Sequence, residues 1–269
     1  MPCRKLKVIG LLTIIASCNI LASDLTDANE ITRRANLAAY YAGEDGRSEA
    51  RMVIRDSQGR EQIRQFTVLR RNIEKGGDQE FLVFFSRPSD VRGTVYLVLK
   101  HVKGDDDRWL YLPGLDLVKR ISAGDRRTSF VGSHYLYEDV SGRSTNEDTH
   151  TLMDTTDEFY VLKHQPKDAS SVEFSYYITY IDKQNFLPRN IEYFNTADRK
   201  YRSVEALDIE DIQGFPTVTR TLVSDLESGG STEMRFRYIA YNIGIPDDVF
   251  NERSLRNAPK KWLKRPQQN

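Results

Sequence analysis

Apolar and polar positions alternate with a period of two over most of this chain. From Val172 to Tyr180, one set of alternate positions holds Val172, Phe174, Tyr176, Ile178 and Tyr180, and the other set is mostly polar. Met234, Phe236 and Tyr238 alternate in the same way with Arg235 and Arg237. Such patterning predicts strands with one face on an apolar interior and the other in water, which is antiparallel-sheet behaviour. Runs rich in β-branched and aromatic residues, bounded by Gly, Pro, Asp or Asn, predict twelve strands. They are Glu49–Ser57, Glu61–Arg71, Glu80–Ser86, Thr94–Val102, Trp109–Leu112, Leu117–Ile121, Glu158–His164, Val172–Ile181, Leu187–Phe194, Arg202–Ile212, Thr217–Asp225 and Thr232–Tyr241. Helical spacing appears over Asp24–Ala42, with Asp24 or Asp27 as cap, Glu30 in the first turn and Gly43 to Gly46 as the stop. Ser141 to Asp157 is polar and turn-rich and predicts a long loop. The fold class that follows is mainly β with few helices: a strongly curved antiparallel sheet or incomplete β-barrel connected as meanders.

The start of the chain reads as an address. Arg4, Lys5 and Lys7 precede an apolar run from Val8 to Ala16, and small residues follow at Ser17, Ala22 and Ser23. That is the layout of a secretory signal, with residues 1–22 removed by cleavage after Ala22. Ile15-Ala16-Ser17-Cys18 also has the form of a lipobox, which would cleave after residue 17 and lipidate Cys18. Ile at the first lipobox position and the apolar Ile20-Leu21 beyond the Cys favour ordinary cleavage. The mature chain is then expected to be a single β domain over residues 23–252, followed by a basic tail over 253–269. Cleavage after Ala22 leaves 36 basic against 39 acidic residues, a net charge of −3. Nothing in that balance attracts nucleic acid. Both cysteines, Cys3 and Cys18, lie in the first eighteen residues, which excludes a disulfide framework or a thiolate site in the body of the protein.

Candidate chemistry is sparse. There is no Gly-x-Ser-x-Gly, His-Glu-x-x-His, P-loop or Gly-x-Gly-x-x-Gly pattern. His101, His134, His150 and His164 lack metal-ligand spacing, and each reads as a lone surface or edge-strand residue. Asp105-Asp106-Asp107 lacks the alternating ligands of a calcium loop and reads as a solvated turn. No catalytic residue, metal site or cofactor is expected. The tail carries Arg253, Arg256, Lys260, Lys261, Lys264 and Arg265 with Trp262 and no acidic residue. It reads as solvated, with contact to an anionic membrane surface as the sharper alternative.

The most specific segment lies between Phe85 and Asp139. It contains Pro88-Ser89 with Gly93-Thr94, then Trp109-Leu110-Tyr111-Leu112-Pro113, Arg120-Ile121-Ser122, Ser129-Phe130-Val131-Gly132 and Tyr135 to Asp139. In these residues the chain resembles the outer-membrane lipoprotein-sorting family, the LolA/LolB-like proteins, and within it the larger, exporter-associated branch. The resemblance implies a half-open β-barrel with a helical lid, here Asp24–Ala42, over a cavity that shelters acyl chains. It implies a non-covalent periplasmic carrier of lipid or lipoprotein acyl chains, with an inner-membrane lipid exporter as partner. Each motif residue taken singly reads as packing. Cavity residues are expected instead from the inward faces of long strands: Phe66, Val68, Leu97, Phe174, Tyr176, Ile178, Phe236 and Tyr238. The rival readings are a non-catalytic scaffold or accessory subunit of an envelope export complex, an outer-membrane pore, and an enzyme of unassigned type. The heavily charged strand faces count against the pore.

Overall fold

A computed structural model describes residues 24–265. The signal segment, Cys18 and the last four residues of the tail lie outside the described residues. Of the two candidate caps, Asp27 is the one used: its side chain accepts from Asn29 N at 2.9 Å and opens helix α1, Ala28–Tyr40. Glu30 in the first turn pairs with Arg33 and Arg34, and Ile31, Thr32 and Ala35 form the buried stripe.

The rest of the chain is dominated by one antiparallel sheet. Its first six strands are β1 (Asp45–Arg55), β2 (Glu61–Asn72), β3 (Gln79–Arg87), β4 (Val95–Lys100), β5 (Asp107–Leu112) and β6 (Leu117–Arg120). The remaining seven are β7 (Asp148–Thr155), β8 (Phe159–Pro166), β9 (Tyr176–Asp182), β10 (Pro188–Phe194), β11 (Lys200–Ile212), β12 (Phe215–Asp225) and β13 (Gly230–Tyr241). Spatial order runs β6-β5-β4-β3-β2-β1-β13-β12-β11-β10-β9-β8-β7, so β6 and β7 are free edges and the sheet does not close. Two meanders thus meet where β1 pairs with β13, from Gly46 opposite Tyr241 to Arg55 opposite Ser231. The twelve expected strands are present with end shifts of a few residues, and β7 is the addition, inside the segment expected to be a loop. An edge strand has one neighbour, and most of the residues of β7 are partly or fully exposed. Such a strand carries little of the buried-face alternation that marks an interior strand.

The two faces of the sheet are covered by different parts of the chain. Residues 121–147 carry the chain from one free edge to the other and pack into the concave side, with helix α2 (Tyr137–Ser141) near their end. Phe130 sits at the centre of that core, with its ring 5.4 Å from Tyr96, 5.5 Å from Tyr137, 5.8 Å from Phe85 and 6.4 Å from Phe66. On the convex side, Ile245, Val249, Phe250 and Leu255 cover Leu69, Leu82, Val95 and Leu97, and Trp262 packs beside them. The expected free tail is therefore a docked one through residue 265. Its two short helices, α3 (Arg253–Arg256) and α4 (Lys260–Leu263), turn Leu255, Trp262 and Leu263 onto the sheet while several basic side chains stay in water. Arg47, fully buried on β1, donates to the carbonyls of Trp262 and Leu263 and pairs with Glu49, which also holds Arg265.

Because five rings meet at Phe130, Phe130→Ala should lower unfolding free energy by about 3–5 kcal/mol. Denaturant titration followed by tyrosine and tryptophan fluorescence measures this, and a cost below 1 kcal/mol would contradict the packing described.

Candidate functional site

Between α1 and the concave face lies a cavity of about 430 Å³. The helix contributes Thr32, Ala35, Ala38 and Ala39, small residues that let it lie close to the sheet. Beneath them an apolar floor runs across the strands, from Ile181 and Leu187 through Ile191, Val204 and Val218 to Ile239, Phe236 and Val68. At the closed end the wall is polar, with Tyr135, Asp139, His164, Tyr177 and Thr221. Ala39 and Pro216 also line the cavity and are exposed, which places its mouth at the C-terminal half of α1 and the start of β12.

Two of the eight expected cavity residues, Val68 and Phe236, line this space. Phe66 belongs to the solid aromatic core around Phe130, and Leu97 points to the convex side under the C-terminal segment. Tyr176 and Ile178 lie on the outer face of β9, Tyr176 stacked on Phe194 at 4.7 Å with Lys163 Nζ 3.9 Å above it. The inward face is Tyr177, Thr179 and Ile181, and its central Thr made it read as the wet side. Phe174 precedes β9 and is buried between Arg127 and Arg143, whose guanidinium carbons lie 4.8 and 5.4 Å from the ring centre. Tyr238 is 47% exposed under Arg265. It has a left-handed φ of 51° where the β1–β13 register shifts, and this bulge changes parity so that Ile239, not Tyr238, faces in.

None of the ten motif residues lines the cavity. Pro88 and Ser89 sit in the β3–β4 turn, where Gly93, at φ 81°, donates to the Phe85 carbonyl at 2.9 Å, and Thr94 is buried. A Cβ on Gly93 would press on Pro113 at 3.4 Å. Trp109 and Tyr111 pack on the convex core, Arg120 pairs with Asp107, Phe130 is core, and Gly132 turns the chain at φ 76°. These ten residues build the frame, and only the end of the segment, at Tyr135, Glu138 and Asp139, reaches the cavity wall.

A buried ion cluster closes the inner end. Glu138, on α2 and 3% exposed, meets Arg126 at 3.3 Å, Arg143 at 3.4 Å and Arg127. Arg143 continues to Glu147 at 2.7 Å and Asp148 at 3.0 Å, Arg127 to Glu173 at 2.6 Å, and Asp139 pairs with Arg202. Charges at this depth persist only because each has a counter-ion. Lys100, also buried, donates to the carbonyls of Ser141 and Gly142, and burial pulls its pKa down to about 8. At the other end the C-terminus of α1 is held by side chains from the sheet. Gln79 donates to the Tyr40 carbonyl at 2.8 Å, Arg70 to that of Ala42 and Asn72 to that of Gly43 at 2.8 Å.

Two of the histidines are paired, against expectation. His150 and His164 face each other across β7 and β8, with Nδ1 atoms 2.7 Å apart. His150 Nε2 lies 2.9 Å from the Thr145 carbonyl, so it donates there and His150 Nδ1 accepts from His164. His164 Nε2 then accepts from Thr179 Oγ1 at 2.7 Å, and both rings are fixed as neutral. The sequence signal was the fourteen-residue spacing across a hairpin whose first strand had read as loop.

A family model described as an uncharacterized protein matches residues 77–257, about two-thirds of the chain. The structure of a DUF1329 family protein from Desulfovibrio piger is 29% identical, with a TM-score of 0.77 over 85% of this chain and 97% of that one. A putative outer membrane lipoprotein-sorting protein domain from Vibrio parahaemolyticus is 23% identical, with a TM-score of 0.77 over 85% and 98%. A LolA superfamily protein from Nitrosomonas europaea is 21% identical, with a TM-score of 0.65 over 86% and 99%. The chain belongs to the family that this model describes, and it shares its fold with these three solved structures. No curated protein matches it.

In this chain the site contains no group of three or more His, Cys, Asp or Glu suited to a metal among the described residues. No described helix is long and apolar enough to cross a membrane. Its chemistry is that of a half-open apolar floor with fixed polar ends. Glu138→Gln keeps the shape but leaves the arginines around it short of one negative charge, and should cost about 3–5 kcal/mol in denaturant titration. The histidine pair sets a pH dependence. Burial pushes His164 down to about 3 from its ordinary 6.5, so below pH 6.5 the unfolded chain binds the extra proton first. Stability from this group is complete above pH 6.5 and is lost as pH falls towards 3. His164→Asn should flatten that slope in urea titrations between pH 7 and 4, and an unchanged slope would show that the carboxylates alone set it.

Proposed function

We propose that this protein is a non-covalent carrier that shelters acyl chains of a lipid or lipoprotein in the cavity beneath α1 and passes them between components of the cell envelope. The observation that carries the reading is the apolar floor from Ile181 to Val68 under a helix of small residues, on a sheet that does not close. Burial is worth roughly 0.8 kcal/mol per methylene, so a cavity that only held tightly would retain its cargo. The cover is α1, packed through Ile31 and Ala35 on Tyr160, Leu162 and Ile181 and held at its C-terminal end by the side chains of Arg70, Asn72 and Gln79, so transfer calls for these contacts to open. Arg256 of α3, paired with Asp116 beside Leu115 at 73% exposure, is the start of the face assigned to an anionic membrane surface, with the exposed Lys260 and Lys261 of α4 as its further cations. An inner-membrane lipid exporter is the partner class this reading calls for, and its support is the sequence resemblance. The scaffold reading has one observation in its favour: the half of the concave side around Phe130 is solid.

Mass spectrometry of the protein isolated from its native envelope, under native and then denaturing conditions, should show a lipid mass that is lost on denaturation. The same experiment reports whether Cys18 bears a diacylglyceryl group. Ala38→Trp fills the space under α1 and should weaken binding of a fluorescent fatty-acid probe at least tenfold with little change in melting temperature. Full probe binding by a folded Ala38→Trp protein would place the ligand elsewhere.

A further inference from the structure

Three arginines have atoms at the cavity wall, and they differ in their partners. Arg47 is paired with Glu49, and Arg143 with Glu147 and Asp148. Arg70, on β2 at the Val68 end of the floor, has no carboxylate within 4.0 Å among the described residues. It donates to Asn72 Oδ1 and to the Ala42 carbonyl, which leaves further N–H groups of its guanidinium fork without a protein acceptor. The acid that influences it, Asp45, accepts backbone N–H bonds from Ile243 at 2.8 Å, Gly244 at 2.8 Å and Ile245 at 3.0 Å. Burial destabilises the Arg70 cation, as its lowered pKa reflects. Two hydroxyls at the same end line the cavity but are already engaged: Thr217 donates to the Phe215 carbonyl at 2.9 Å and accepts from Tyr241 at 3.0 Å. A half-buried cation with spare N–H groups and no carboxylate partner is a place for an anion.

The shape of the floor limits what that anion can be attached to. From β9 to β2 it crosses six inter-strand gaps, roughly 29 Å along the sheet at about 4.8 Å per gap. That is long enough for an extended acyl chain laid across the strands.

Resting on the carrier reading above, we infer that the cargo is an anionic amphiphile whose carboxylate or phosphate head sits at Arg70 while its chain runs under α1 toward Ile181 and Leu187. The polar wall at Tyr177, His164 and Asp139 then borders the chain without receiving the head. Every donor and acceptor named for His164 is already used inside the protein.

The test compares ligands on the unmodified exported protein by displacement of a fluorescent fatty-acid probe. Hexadecanoate and palmitoyl-lysophosphatidylglycerol should bind at least tenfold more tightly than hexadecanol. The stronger of the two anionic ligands identifies the head as carboxylate or phosphate. Arg70→Met should remove the preference over hexadecanol, and Arg70→Lys should keep most of it. Equal binding of hexadecanoate and hexadecanol by the unmodified protein overturns the head-group assignment and leaves the carrier reading standing. Binding of none of the three ligands overturns both readings. Because the central comparison uses no variant, a loosened α1 in Arg70→Met cannot imitate its result.

Discussion

A carboxylate buried on the inside of the sheet, Glu138, is the constraint around which the rest is arranged. The sheet leaves β6 and β7 unpaired, and the chain between them passes through the concave side. Such a crossing exposes backbone and side-chain polar groups to an apolar interior, where each needs a partner. Glu138 gathers Arg126, Arg127 and Arg143, and these reach onward to Glu147, Asp148 and Glu173. The crossing segment is thereby tied to β7 and to the approach to β9. Its apolar residues, Phe130 and Tyr137, fill one half of the concavity, while the ion cluster bounds the other half and keeps it from collapsing onto the sheet.

That division of the interior explains how much could be read from the residues. Strands with a buried neighbour on each side, such as β2 to β4, show themselves through alternation, and so does the amphipathic α1 with its Asp27 cap. Position on a face was harder to read. On β9, Tyr and Ile occur on both faces, and the inward face holds a Thr, so hydrophobicity pointed to the outer one. On β13, Phe236 faces the cavity, but one residue in the left-handed region at Tyr238 reverses the parity beyond it. Neither feature has a local composition that announces it. The basic tail misled for a different reason: Leu255 and Trp262 among six cations look like a solvated segment until a convex apolar face is present to receive them.

The motif that carried the family resemblance and the residues that form the cavity are almost disjoint sets. Gly93, Pro113, Phe130 and Gly132 are fixed by turns and by close packing, where few residue types fit, and this makes a recognisable pattern. A chain-shaped ligand asks only for a smooth apolar surface. Val204, Val218 and Ile239 would serve as well with their identities exchanged, so a site of this kind leaves a faint trace in sequence. Polar groups with a definite task, Arg70 and the two histidines, are single residues on separate strands and come together only through the register.

The pairing of β1 with β13 has a consequence for how the molecule comes into being. The seam at the middle of the sheet joins the first strand to the last, and nearly the whole domain lies between them in the chain. A polypeptide delivered residue by residue can assemble each meander from local hairpins, but it cannot join the two until Gly230–Tyr241 has arrived. Contacts so distant in sequence close slowly. During that interval β1 presents an unpaired edge and the concave aromatic surface has no opposite half. The nascent chain is therefore at its most adhesive just before completion, and a partner that occupies strand edges at that stage would act on the step that limits its yield.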